Sequence, residues 1–159
     1  MPAALSPKRA DVHHVRVNDP HNLQRFIDAQ RDIFQIALVE LHSGAKQSHW
    51  MWFIFPQLSG LGHSPTAKYF ALRSAAEARA YLDHPLLGRR LRECVEAVLP
   101  WSGRRSADQI FGAVDSMKLK SSLTLFSRLE PESIFASGLR AFFHSLPDER
   151  TLALLNAGR

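Results

Sequence analysis

The stretch Gly44–Gly62, GAKQSHWMWFIFPQLSGLG, constrains this chain more than any other. Trp50 to Phe55 is an unbroken apolar run containing two of the three tryptophans. A run this dense must be buried, and the polar groups beside it must then find hydrogen-bond partners. Lys46, Gln47, Ser48 and His49 precede the run and Pro56-Gln57 closes it. These polar groups are therefore held against a core, an arrangement that serves a pocket and a plain core equally. Because every position is apolar, periodicity cannot separate helix from strand. Ser48 as an N-cap and Pro56 as a terminator favour a short buried helix.

The remainder reads as helix. Asp19-Pro20 is a cap followed by a proline at the first helical position. Leu23, Phe26, Ile27, Gln30, Ile33, Phe34, Ala37, Leu38 and Leu41 then recur at three- and four-residue steps. This pattern predicts one helix of about 24 residues, with Gly44 as its C-terminal stop. Shorter helices follow: one over Thr66–Leu72, and one capped by Ser74 with Glu77 as its capping-box partner. Leu86, Leu87, Leu91, Cys94, Val95, Val98 and Leu99 line a long helix that Pro100-Trp101-Ser102-Gly103 ends. Ser106 and Gln109 form a second capping-box signature before a short turn of helix. Asp115 is expected to cap the next helix, whose inner face is Met117, Leu119, Leu123, Phe126 and Leu129. Pro131 opens another helix, and Pro147-Asp148 the last. No alternating strand pattern and no internal repeat occur. The expected architecture is a compact all-α domain of about seven to nine helices over residues 18–159, preceded by a flexible tail over 1–17.

Composition narrows the class. A chain of 159 residues with 45% hydrophobic and 22% charged residues can bury one sizeable core. Twenty basic against 15 acidic residues leave a formal charge of +5 without a polybasic run. That balance favours small anionic partners and makes nucleic acid a weaker expectation. The lone Cys94 excludes an internal disulfide, no stretch approaches the roughly 20 apolar residues of a membrane span, and the N-terminus lacks a signal-peptide centre. A cytoplasmic protein with no membrane partner is expected.

Most familiar chemical motifs are missing. The chain has no glycine-rich phosphate loop, no His-Glu-x-x-His, no Cys/His pair at zinc spacing and no Gly-x-Ser-x-Gly elbow. No metal or cofactor is expected. Adjacent His13-His14 on the tail has no partner at ligand spacing. Two polar clusters remain, Lys46, Ser48, His49, Trp50 and Gln57 in one, and Asp115, Lys118, Lys120, Ser121, Ser122 and Thr124 in the other. A lysine with hydroxyls on one helix face can hold a phosphate, and Asp115 can hold the lysine. The plainer reading makes Lys118 and Ser121 a solvated face and Trp50 and Trp52 core packing.

At these stretches the chain resembles the family catalogued as domain of unknown function 1810, sometimes labelled calpastatin-like. The resemblance rests on RFIDAQ, GAKQSHWMWFIFPQLSGLG, AYLDHPLLGRRL, IFGAVDSMKLKSSLTLF and TLALL, which span nearly all of the chain after Asn18. Leu123 stands where the family motif has methionine, a volume-conserving change. The resemblance implies a mainly α-helical domain and supplies no reaction. The calpastatin label fits poorly, since that inhibitor is a disordered, repeated polar chain and this one is a single apolar-rich unit. Such families occur beside enzymes of NAD and ADP-ribose metabolism, and by that analogy alone a nucleotide-related ligand enters the reading.

Two functional expectations result. In the first, the two motifs line a pocket for a small anionic, phosphorylated ligand of NAD or ADP-ribose type. Lys46 and Lys118 hold phosphate, Ser48, Gln57, Ser121 and Thr124 contribute contacts, Trp50 or Trp52 stacks, and His49 is the acid–base candidate. In the second, the protein is a non-catalytic interaction module whose tryptophan-rich stretch is purely core and whose partner is a protein or nucleic acid. Convergence of the clusters in one concavity favours the first, and their separation the second.

Overall fold

A computed structural model describes residues 18–158, and the expected tail over 1–17 lies outside them. The described residues form ten α-helices and no sheet, so the fold class is all-α. The helices are α1 (Gln24–Gln30), α2 (Phe34–His42), α3 (Met51–Ile54), α4 (Pro65–Phe70) and α5 (Ala75–Asp83), then α6 (Leu87–Val98), α7 (Ala107–Phe111), α8 (Ala113–Leu129), α9 (Ile134–Phe143) and α10 (Glu149–Ala157). A 3₁₀ turn, Leu99–Trp101, extends α6.

The expected 24-residue helix is two helices. Its start lies later than read: Pro20 is in a turn, the helix opens at Gln24 with Leu23 at the N-cap, and Asp19 accepts the Leu23 and Gln24 amides at 2.8 and 2.9 Å from outside the helix. The helix then breaks at Arg31–Ile33, with neither glycine nor proline to announce it. The buried Gln30 amide donates to the Phe53 carbonyl at 2.8 Å and to the Tyr81 hydroxyl at 3.1 Å. Both helices face the same core, so the three- and four-residue spacing runs through the break.

The aromatic run is helical, as its bounding residues implied, but Ser48 does not cap it. Trp50 occupies the N-cap without a side-chain cap bond, and the Ser48 hydroxyl goes to Glu40 instead. Trp50, Met51, Phe53, Ile54 and Phe55 are all buried, and they anchor one continuous core that also takes in Phe26, Tyr81, Phe126 and Phe135. The Ser106–Gln109 capping box forms reciprocally. The Ser74–Glu77 pair does not: Ser74 accepts the Glu77 amide, while the Glu77 carboxylate receives the Arg73 amide and the Arg25 guanidinium. Ser133, two residues past Pro131, caps α9.

Helix α8 runs through the middle, packing against α5, α7, α9 and α10. Its N-cap is Gly112, at φ +83°, so Asp115 sits in the first turn and is not the cap. Every residue from Ser121 to Phe126 is buried. Met117, expected inward, is 70% exposed. Two residues on a helix turn about 200°, so Met117 cannot share the face of Leu119, which is buried.

Candidate functional site

The two polar motifs meet on one carboxylate. Lys46 Nζ lies 2.9 Å from Asp115 Oδ2 and Lys118 Nζ lies 3.4 Å from Asp115 Oδ1. Each ammonium also rests on a tryptophan face, Lys46 over Trp50 and Lys118 over Trp52, both 4.8 Å from the ring centroid. Two lysines against one aspartate leave the group a formal charge of +1. The pairs differ in access. The Lys46 side chain is 7% exposed and also donates to the Ser48 carbonyl, whereas that of Lys118 is 23% exposed.

The loop reaches this position through backbone and side-chain anchors. Gly44, at φ +66°, turns the chain out of α2 in a conformation L side chains rarely adopt, and a Cβ there would meet the Trp101 ring at 2.5 Å. The Lys46 amide then donates to the Ile110 carbonyl at 2.8 Å, tying the loop to the end of α7.

Glu40, on the inner side of α2, organises the rest of the loop. Its Oε1 accepts from the Gln47 amide, the Ser48 amide and the Trp50 indole at 2.8, 3.0 and 2.8 Å, and its Oε2 accepts from the Ser48 hydroxyl at 2.6 Å. Burial acts to raise the Glu40 pKa. The Ser48 hydroxyl, the two amides and the Trp50 indole outweigh it and hold the carboxyl down at about 2. Sequence patterning did not single out Glu40. The available signal was an acidic residue one position before Leu41 on an otherwise apolar helix face.

The other expected site residues divide by exposure. His49 is exposed, and its ring makes no hydrogen bond among the described residues. Trp52 is half-buried. Trp50 is 0% exposed, which leaves no ring face for a ligand and makes it core. Ser48 is spent on Glu40. Gln57 shares with Trp52 a hollow of about 10 Å³, the size of one water. Ser121 is buried and donates to the Met117 carbonyl at 3.1 Å. Thr124, also 0% exposed, donates to the Lys120 carbonyl and accepts the Asp148 amide, linking α8 to the start of α10. Ser122 Oγ is buried without a partner among the described residues. These hydroxyls are interior, so neither the phosphate-holding reading nor the solvated-face reading describes them.

The convergence therefore forms an open face, not a closed pocket. Lys118 and Asp115 are exposed to the same degree, at 23% and 21%, Trp52 is half-buried and His49 and Gln47 are exposed, while the Lys46 side chain and Glu40 are buried beneath. Among the described residues no group of three or more His, Cys, Asp or Glu side chains could hold a metal ion. Cys94 is buried, and burial first, with Glu93 nearby, pushes its thiol pKa up. A cavity of about 660 Å³ lies against α10 and contains none of the expected site residues.

The helical fold with its paired tryptophan-rich and lysine–serine motifs defines a class. The family model described as "Protein of unknown function (DUF1810)" matches residues 20–155, and the chain belongs to that family. Among solved structures it is similar to the crystal structure of the conserved hypothetical protein Rv1873 from Mycobacterium tuberculosis. The two are 46% identical, with a TM-score of 0.84, over 87% of this chain and 99% of that one. No curated protein matches the chain. Among the described residues no helix is long and apolar enough to cross a membrane.

Proposed function

We propose that the face where the two motifs meet binds the anionic group of a small phosphorylated ligand, of the NAD or ADP-ribose type. The observation that carries this reading is the Lys46–Asp115–Lys118 bridge. Two residues far apart in sequence supply cations to one carboxylate, and the more exposed of them sits at the longer distance of 3.4 Å. Lys118 can exchange that contact for a phosphate oxygen while Lys46 keeps Asp115 neutralised. Trp52 offers a partly exposed ring beside it for stacking, and the exposed His49 is the acid–base candidate.

Thermal-shift and calorimetric titration of the full chain with ADP-ribose, NAD and pyrophosphate tests this. At least one should raise Tm, and Lys118→Met should weaken its binding by about 1.5–3 kcal/mol, the range for hydrogen bonds to charged groups. A panel without effect, or binding indifferent to Lys118→Met, would remove the proposal.

A second reading, a non-catalytic interaction module, has its own support. Val114 and Met117 are each 70% exposed on the α8 turn that carries Lys118. A macromolecular partner would cover them and a small ligand would not. Met117→Glu should then abolish partner binding and leave nucleotide titration unchanged.

A further inference from the structure

The 660 Å³ cavity falls within the size range of small-molecule sites. Leu58 and Ser59 on one wall are held by the Leu58–Leu72 bridge, where the Leu72 amide donates to the Gln57 carbonyl at 2.9 Å and the Ser59 amide to the Leu72 carbonyl at 2.8 Å. Opposite it, α10 is pinned at its start, where Asp148 caps the helix and its amide donates to Thr124 Oγ1 at 2.9 Å. Arg150 adds a bond to the Gly60 carbonyl at 3.3 Å. The last turns of α10 then lie along the cavity, contributing Leu152, Leu154 and Leu155, while Leu58 and Leu129 complete an apolar lining.

The polar part of this cavity has one sign. Arg73, before the start of α5, and Arg128, near the end of α8, both line it, and no aspartate or glutamate does. Arg25 and Arg92 elsewhere are spent on Glu77 and Glu130. By contrast, neither the Arg73 nor the Arg128 guanidinium makes an ion pair or hydrogen bond among the described residues. The guanidinium fork matches carboxylate and phosphate oxygens. A leucine lining gains nothing from a bare ion and gains steadily with each methylene it covers.

We propose that this cavity binds a small amphiphilic anion, with a carboxylate or phosphate head on Arg73 and Arg128 and an apolar body against the leucines of α10. The site shares no residue with the Lys118 face and stands or falls separately from it.

Methyl-labelled leucine spectra of the full chain, titrated below micelle-forming concentrations with octyl phosphate, octanoate and neutral octyl glucoside, test the assignment. Octyl phosphate or octanoate should shift the Leu154 and Leu155 methyls saturably, the tighter of the two identifying the head. Arg73→Met and Arg128→Met should each weaken that binding at least about tenfold, as expected for losing a charge-assisted bond. Lys118→Met should leave it unchanged. Both arginines are exposed, so the variants should keep the native circular dichroism. Should either fail to fold, Arg73→Lys and Arg128→Lys keep the charge but lose the fork, and a several-fold loss is expected. Equal affinity for octyl glucoside, absence of saturation, or shifts indifferent to both arginines would overturn the proposal.

Discussion

Replacing Glu40 with glutamine should loosen the loop on which the Lys118 face is built. Glutamine keeps the shape and one acceptor, but its amide nitrogen would face the Ser48 hydroxyl or the amide and indole donors that now meet a carboxylate. The magnitude comes from proton linkage. A carboxyl held at about 2 against an ordinary 4.5 corresponds to at most about 3 kcal/mol, and solvent screening near the 9%-exposed residue reduces this to about 1–3 kcal/mol. The folded pKa is the lower one, so the contribution is fully present above the unfolded pKa of about 4.5 and is lost as pH falls towards 2. Urea unfolding of both proteins at neutral pH and near pH 3 reads it. Glu40→Gln should be less stable by that amount at neutral pH, with over half of the gap closed by about pH 3. A difference below about 0.5 kcal/mol, the noise level of surface substitutions, or one independent of pH, would refute the role given to Glu40.

Phe126, 0% exposed between Tyr81 and Phe135, should cost about 3–5 kcal/mol when replaced by alanine, read by denaturant unfolding. Arg25→Met should cost about 3–5 kcal/mol because it strands the Glu77 carboxylate, whose side chain is 4% exposed, and adding Glu77→Leu should recover much of the loss in the same assay.

Local rules read well where the partner lies within a few residues. The Ser106–Gln109 box and the Asp148 cap each form between near neighbours, so their spacing carried the information. Reading failed where a distant group outbid a local one. Ser48 has cap geometry in the sequence, but its hydroxyl goes to Glu40, and Glu77 prefers Arg25, 52 residues away, to the Ser74 amide. The break before Phe34 was invisible because no glycine or proline marks it and the apolar spacing runs through it.

The candidate site was half legible. Lysines with Asp115 on a capped turn pointed to Lys46 and Lys118, and the structure brings these together. Hydroxyl spacing pointed equally to Ser121 and Thr124, which the passage of α8 through the core turns inward. The cavity of Arg73 and Arg128 draws on segments from Leu58 to Gly158, and no local pattern carries it.

A crystal of the full chain soaked with ADP-ribose tests the central claim most directly. The proposal predicts a phosphate oxygen within hydrogen-bonding distance of Lys118 Nζ, a ring of the ligand on Trp52, and Lys46 still paired with Asp115. Lys118 remaining on Asp115 at saturating ligand, with no density over Trp52, would contradict it.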